Sequence, residues 1–253
     1  MKTLRARLLA KDILVGTFSA IPHPSVTEMV AGAGFDFVLI DAEHSQISRA
    51  DLENLFRAAE VGGAPAILRV PDNNRIWIGA ALDAGAAGVL VPRVSSAADA
   101  RAAVAATRYP PVGERGVGPG RAAAYGAKIE EAIADANANV VLAVQLETAE
   151  GLARVDEIAA VDGVDAIYIG PGDLAASLGA LGPQGRPVLE KAVATIVDSC
   201  KRHGRAVGIF TLTPESLTGA IEQGMTFVTL GSDAMLLGRG LNEAADAARK
   251  ARG

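Results

Sequence analysis

In five places an apolar run of this chain ends on a side chain able to bind a metal, carry a proton or hold an anion. Phe37-Val38-Leu39-Ile40 leads to Asp41, Glu43 and His44, and Ala66-Ile67-Leu68 leads to Arg69. Val140-Val141-Leu142-Ala143-Val144 leads to Gln145 and Glu147. Ala166-Ile167-Tyr168-Ile169 runs into Gly170-Pro171-Gly172 and Asp173, and Val207-Gly208-Ile209-Phe210 reaches Thr211. Glu147 and Asp173 have no cysteine or paired histidine beside them. Two such carboxylates form a hard oxygen site suited to Mg²⁺ or Mn²⁺, with water or substrate in the remaining positions. The Gly-Pro-Gly turn before Asp173 brings backbone close to whatever that carboxylate binds. Arg69 has no acidic neighbour in sequence, and its fixed charge suits a carboxylate or a developing oxyanion. Asp41 precedes His44 by three residues, close enough across a sharp turn to orient an imidazole and raise its basicity. Each group has an ordinary alternative: a helix cap for Asp173, a surface ion pair for Glu147, a salt bridge for Arg69, a plain loop position for His44.

Buried parallel strands read as unbroken apolar runs, so polar residues at one end of several runs mark a shared functional face. Strands are predicted at 13–18, 36–41, 65–70, 87–91, 140–146, 165–169, 206–210 and 226–230. Segments of 3.6-residue period predict helices at 24–33, 49–61, 74–84, 96–107, 148–160, 187–203, 214–223 and 239–251. Thr213-Pro214-Glu215 is a helix start, and Gly62-Gly63, Gly85, Gly204 and Gly224 are stops. Eight strand–helix pairs in 253 residues favour one closed (β/α)8 TIM barrel spanning 1–253 over an open doubly wound sheet or two small domains. The alternation fails once, between 108 and 139, where Gly and Pro crowd residues 108–121 and a short helix is expected near 127–138. Following strand four, this segment is expected to cover the substrate on the catalytic face. Phe210 and Leu212, flanking Thr211, are expected to form an apolar wall at the end of strand seven. Gly231-Ser232-Asp233 offers a weak anion site.

Absences narrow the chemistry. The six lysines (Lys2, Lys11, Lys128, Lys191, Lys201, Lys250) all lie outside the predicted strands, so Schiff-base chemistry at a barrel mouth is disfavoured. Strand seven is followed by Phe210-Thr211-Leu212-Thr213 and not by a Gly-rich phosphate cradle, which favours a carboxylate substrate over a phosphate ester. A net charge of −5 with interspersed signs gives little footing for nucleic acid or an anionic membrane. No apolar stretch reaches the ~18 residues of a membrane span. The basic start, Met1 to Arg7, lacks an export cleavage pattern, and the single cysteine, Cys200, fits a reducing cytoplasm. Cys200 reads as a packed or half-exposed thiol rather than a nucleophile.

Four stretches resemble a known family: Phe35-Asp36-Phe37-Val38-Leu39-Ile40-Asp41-Ala42-Glu43-His44; Tyr109-Pro110-Pro111 with Arg115-Gly116-Val117-Gly118; Gln145-Leu146-Glu147-Thr148; and Ile169-Gly170-Pro171-Gly172-Asp173-Leu174. In order and over nearly the whole chain they are similar to the HpcH/HpaI family of metal-dependent (class II) pyruvate aldolases. The resemblance implies that Glu147 and Asp173 bind a divalent cation (Mg²⁺, Mn²⁺ or Co²⁺) that chelates a 2-oxo acid. It implies that Arg69 contacts the keto oxygen, that Gln145 supports the acid, and that backbone amides at Gly172 and Asp173 hold its carboxylate. His44, paired with Asp41, would transfer the proton together with a cation-held water. Asp83 matches a position that reaches a neighbouring subunit's site, which implies a homo-oligomer, commonly a hexamer, with the C-terminal helix packing across subunits; otherwise Asp83 is a helix-end charge. Gly172 stands where the family more usually has Ala or Ser. The small-molecule substrates would be pyruvate or hydroxypyruvate and an unphosphorylated aldehyde. Two rivals stay open: an acyl-CoA lyase of the citryl or malyl type, which should carry a basic surface for CoA phosphates, and a non-catalytic 2-oxo acid sensor.

Overall fold

The computed structural model describes residues 2–252. Eight parallel strands close into a barrel in sequence order. They are β1 (Leu14–Ser19), β2 (Phe37–Asp41), β3 (Ala66–Arg69), β4 (Gly88–Val91), β5 (Val141–Leu146), β6 (Ala166–Ile169), β7 (Ala206–Thr211) and β8 (Phe227–Ser232). All eight predicted strands form, each within two residues of its expected limits. Their inner side chains pack with one another and their outer side chains pack under the helices, so both faces of each strand are apolar.

The helices are α1 (Leu4–Leu9), α2 (Pro24–Ala31), α3 (Leu52–Gly62), α4 (Arg75–Asp83), α5 (Ala97–Thr107), α6 (Ile129–Asn139), α7 (Ala149–Ala153), α8 (Val155–Ala159), α9 (Pro171–Ser177), α10 (Arg186–Arg202), α11 (Pro214–Glu222) and α12 (Asp233–Lys250). The expected helix 148–160 is broken at Arg154 into α7 and α8. The expected helix 239–251 starts six residues earlier, because Ser232 caps it and accepts from the amide of Met235. Neither α1 nor α9 is anticipated by the pattern; both are short, and α9 lies inside the turn that precedes and includes Asp173.

The barrel interior is filled from the bottom upward. Leu4 and Leu8 of α1 plug the N-terminal end, in the same cluster as Leu14, Phe37, Ile67 and Phe227. Arg5 and Arg108 both grip Asp165, which also accepts from the amide of Leu142 at 2.9 Å. This buried cluster ties the plug to β5 and to the chain leaving α5. Above it lies an aromatic layer: Phe37 stacks on Phe227 at 4.5 Å between centroids, and Tyr168 meets Phe227 edge-on at 6.1 Å. Cys200 is fully buried on α10, and burial pushes its thiol up to about 12, in keeping with a packed role.

One expectation is overturned. The Gly/Pro-rich segment after residue 107 does not cover the mouth. It leaves the end of α5, which has already carried the chain back to the N-terminal side of the barrel. There Arg108 binds the carbonyls of Val140 and Gly163, and Arg121 binds Ala84 O and Glu60. A connection after a helix and before the next parallel strand must run along that opposite face.

Glycine sets the width of the aromatic layer. A Cβ on Gly208 would lie 2.5 Å from both Phe227 O and Tyr168 Cδ2, whereas one on Gly79 in α4 would meet nothing within 4 Å. Gly208→Ala is therefore expected to lower the unfolding free energy by about 1–3 kcal/mol through overpacking. Gly79→Ala is expected to raise it by roughly 0.5–1 kcal/mol through helix propensity. Urea titration of both variants checks the pair, and equal effects would refute this account of the barrel's filling.

Candidate active site

The mouth of the barrel is organised around one ion pair. Parallel register sets the Cα atoms of Asp41 and Arg69 opposite each other at the ends of β2 and β3. Arg69 Nε donates to Asp41 Oδ1 at 2.9 Å and Nη2 donates to Oδ2 at 2.7 Å, a fork-on-fork geometry. Asp41 Oδ1 also accepts from the amides of Glu43 at 3.0 Å and His44 at 3.2 Å, so the turn after β2 winds around this carboxylate. The remaining terminal nitrogen, Nη1, stands 3.2 Å from Glu43 Oε2, and the guanidinium lies 4.8 Å from the Phe18 ring centroid. Burial opposes the charge on Arg69, but Asp41 and then Glu43 outweigh it and hold its pKa above the ordinary arginine value.

This arrangement revises two sequence expectations. Arg69 has no sequence-near partner but acquires two through the fold. Asp41 touches His44 through the main-chain amide, and its side chain is spent on Arg69. The carboxylate facing the imidazole is Glu43, with Oε2 at 3.8 Å from His44 Nε2. His44 itself is 60% exposed at its side chain and reaches into the mouth cavity. Burial raises the Glu43 carboxyl above the usual range against the pull of Arg69, and the nearby charge of Glu147 raises it further.

At the end of β5, Gln145 and Glu147 are both buried, at 1% and 4% exposure. Gln145 Nε2 donates to Glu147 Oε2, and the amide of Arg93, two residues past β4, donates to Oε1 at 2.8 Å. Gly170 leaves the necessary room: a Cβ there would lie 2.7 Å from Glu147 Oε2. Asp173 is exposed in the first turn of α9, with Gly172 before it. In that turn the amides of Gly172 and Asp173 precede the first N–H that finds a carbonyl within the helix, that of Leu174 bonded to Gly170 O. Both residues line the mouth cavity, so the backbone contact expected of them has room.

The cavity measures about 440 Å³ and is bordered by Asp41, His44, Arg69, Gln145, Gly172 and Asp173, with Phe18, Tyr168 and Phe210 as apolar walls. Phe210 packs edge-on against Phe18 at 5.5 Å. Leu212 does not join it; its side chain is 55% exposed outside the cavity. Thr211 is also withdrawn, its hydroxyl donating to Thr229 O at 2.8 Å. The Gly231-Ser232-Asp233 turn is no anion site. The Asp233 carboxylate already accepts from the amides of Ala20, Ile21 and Ala234, tying the loop after β1 to the start of α12. Asp83 lies at the far end of α4, paired with Arg115 at 2.9 Å, away from this mouth.

The residues present fit a hard divalent cation. Glu147, Asp173 and Glu43 supply carboxylate oxygens and Gln145 an amide oxygen; Gln145 Oε1 is buried without a hydrogen-bond partner, and Glu43 Oε2 has only its ion pair with Arg69. Among the described residues no three His, Cys, Asp or Glu side chains form a metal cage. That suits an ion held by two carboxylates with its other positions left to water or substrate. Sequence reasoning named Glu43 without giving it a role and did not anticipate Arg93. Glu43 is the first polar residue past β2, whereas the amide of Arg93 carries no side-chain signal.

A closed β/α barrel with a clamped arginine, an exposed imidazole and two carboxylates at its mouth defines an enzyme that handles small carboxylic acids. Residues 14–239 match the HpcH/HpaI aldolase/citrate lyase family, and the chain belongs to it. It is a carbon–carbon lyase of the aldolase type, acting on 2-oxo acids, in a family of enzymes that depend on a divalent cation. The chain is 36% identical over 246 residues to the 5-keto-4-deoxy-D-glucarate aldolase of Escherichia coli K12/DH10B, covering 97% of this chain and 96% of that one. It superposes with a TM-score of 0.92 on an HpcH/HpaI aldolase/citrate lyase family protein from Burkholderia cenocepacia J2315, at 36% identity and 97% and 98% coverage. The citrate synthase SbnG aligns at 31% identity with a TM-score of 0.88, covering 98% of each chain. No helix among the described residues is long and apolar enough to cross a membrane.

If Asp41 is the anchor of Arg69 and of the turn after β2, Asp41→Asn should destabilise the fold by about 2–3 kcal/mol, as a lost charge-assisted pair in a buried setting does. His44→Ala, at an exposed position, should change stability by less than ~0.5 kcal/mol. Thermal and urea unfolding of the two variants decides it; equal stability would show that the pair is not structural.

Proposed function

We propose that the mouth cavity binds pyruvate or hydroxypyruvate and makes or breaks the bond between its C3 carbon and an unphosphorylated aldehyde. The observation that carries this reading is the convergence of Arg69, fixed by two carboxylates, with His44, Gln145 and Asp173 on one small cavity. Glu147 and Asp173 would hold the divalent cation, Mg²⁺, Mn²⁺ or Co²⁺. When bound, that ion supplies Lewis-acid stabilisation of negative charge on the keto oxygen.

The chain's own residues do the rest. Arg69 donates from its remaining N–H groups to the keto oxygen and stabilises the enolate where its charge develops, while Asp41 and Glu43 keep the guanidinium from turning away. The amides of Gly172 and Asp173 and the free carbonyl side of Gln145 position the acid. In cleavage, His44 removes the proton of the aldol hydroxyl, the carbon–carbon bond breaks, and its electron pair passes into the enolate as the aldehyde forms. Protonation of the enolate carbon completes the donor product. The walls formed by Phe18, Tyr168 and Phe210 exclude water from the enolate and limit the acceptor's bulk.

Among the described residues Arg69 is the only Lys or Arg lining this cavity, and no Gly-rich phosphate cradle adjoins it. That supports an unphosphorylated substrate and disfavours the acyl-CoA reading. The named substrate of the Escherichia coli relatives, a keto-deoxy-glucarate, is an acid of the same unphosphorylated kind. The fold directs Asp83 away from its own mouth, and α12 exposes Met235, Leu237 and Leu241 while burying only Asp233. Both support assembly into a homo-oligomer, such as a hexamer, in which Asp83 serves a neighbour's site and α12 is covered.

Incubation of pyruvate or hydroxypyruvate with an aldehyde and Mg²⁺ or Mn²⁺ should form aldol product that EDTA abolishes and added metal restores. Borohydride with pyruvate should leave the protein unlabelled; a stable lysine adduct, or full activity in chelator, would sink the reading. Arg69→Ala should lose ~10²–10³ in rate and stop proton exchange at the pyruvate methyl. His44→Ala should lose ~10²–10⁴ in aldol turnover. Sedimentation alongside activity at dilution tests the assembly: a fully active monomer would exclude a shared site.

A further inference from the structure

Arg93 is the strand-end cation to which this chemistry gives no task. It lies two residues past β4, on the face that carries Arg69 and Glu147. Its backbone occupies the left-handed region, at φ 55°, and in that conformation its amide reaches Glu147 Oε1. Glycine would deliver the same amide without the steric penalty that a Cβ incurs there. A long cationic side chain kept at a backbone position that favours glycine points to work done by the side chain itself.

That side chain is exposed. Among the described residues the polar contacts of Arg93 run through its main chain, the amide to Glu147 and the carbonyl accepting from Ser95 Oγ at 3.5 Å. The other cations near this face are differently placed. Arg69 is clamped by Asp41 and Glu43 and serves the donor, and Arg49 and Arg75 border a groove along the outside of α4 together with Ile76 and Gly79. Even with a divalent cation on Glu147 and Asp173, the mouth's four carboxylates (Asp41, Glu43, Glu147 and Asp173) and that of the bound donor acid outnumber the positive charge of the ion and Arg69. An anionic second substrate entering there meets repulsion unless a free positive charge waits at the rim.

We infer that Arg93 is the acceptor-side specificity residue, its guanidinium binding a carboxylate carried by the aldehyde at the end remote from the reacting carbonyl. The donor acid is held by Arg69, Gln145 and the α9 turn, so the two carboxylates of the joined substrate would be read by two arginines on neighbouring strands. One arginine is rigid and meets the charge that develops in the reaction. The other is flexible and meets a charge that does not change.

This inference rests on the aldolase reading, and the experiment separates their failures. The full-length protein with Mn²⁺ and pyruvate is assayed with succinic semialdehyde and with butanal, which has the same chain length without the carboxylate. The ratio of kcat/KM values for the two acceptors is measured for the wild type, Arg93→Asn, Arg93→Gly and Arg93→Lys. Asn and Gly both accept left-handed backbone, so the amide to Glu147 is retained while the charge is removed. A ratio taken within one preparation also cancels any loss of folded protein. The expected result is a ratio lowered by ~10–100-fold in the Asn and Gly variants and largely kept in the Lys variant. Ratios within twofold of the wild type in both neutral variants would overturn the assignment, as would a wild type that already prefers butanal. If wild-type protein fails to exchange the methyl protons of pyruvate in a reaction that needs no acceptor, the aldolase reading itself falls and this inference with it.

Discussion

Everything at the mouth of this barrel follows from the pairing of Asp41 with Arg69. A guanidinium that is 8% exposed cannot be left without an anion, because transfer of an unpaired charge out of water costs more than any single packing gain. Parallel register between β2 and β3 supplies that anion at the correct depth, and the fork geometry fixes the plane of the guanidinium as well as its position. The same carboxylate then winds the turn that carries Glu43 and His44. One acid thus sets the orientation of the electrostatic donor and the place of the proton carrier. Coupling of this kind makes the site rigid before any substrate arrives, and rigidity in advance is what gives an electrostatic donor its catalytic value.

The floor beneath that pair matters as much as the pair itself. Phe18, Tyr168, Phe37 and Phe227 fill the barrel immediately below the polar residues, and Leu4 and Leu8 close it at the far end. Water has no route through the core, so charges at the mouth are screened only from above. Tyr168 takes part without adding a charge: burial raises its phenol above the ordinary value and its hydroxyl is engaged with Thr229. On the interior face the change from apolar to ionic takes one strand alternation, from Ile67 to Arg69 and from Leu39 to Asp41. Short strands ending at a common level are what allow so abrupt a boundary.

The barrel was legible because each strand is apolar on both faces and each is followed by a helix of ordinary period, two signals that agree at every repeat. The site was legible as a set of strand ends, and the cavity does gather His44, Arg69, Gln145, Asp173 and Phe210. Partnerships were not legible. Asp41 and His44 are three residues apart and look like a dyad, but the β2–β3 register, which no local pattern encodes, gives the Asp41 carboxylate to Arg69. Leu212 shares Phe210's strand parity, but β7 ends at Thr211 and the turn after it leaves Leu212 exposed outside the cavity. The Gly/Pro-rich segment after Thr107 lies on the face opposite to the one expected. It follows the helix rather than the strand, and in a β/α barrel those two kinds of connection lie at opposite ends. The plug α1 and the seven-residue α9 are too short for periodicity to announce them.

The contrast between the two arginines of the mouth illustrates how such a scaffold can keep one reaction while changing what it reacts with. Arg69 belongs to a strand, is buried, and has its donors assigned by two carboxylates; altering it would disturb the floor, the turn and the charge balance together. Arg93 belongs to a loop, is exposed, and contributes to the interior only through an amide that any residue tolerating left-handed backbone could supply. Its side chain can therefore vary without cost to Glu147 or to the barrel. A fold that anchors the chemical group on a strand and leaves the recognising group on a loop has separated the step common to all its substrates from the step that distinguishes them.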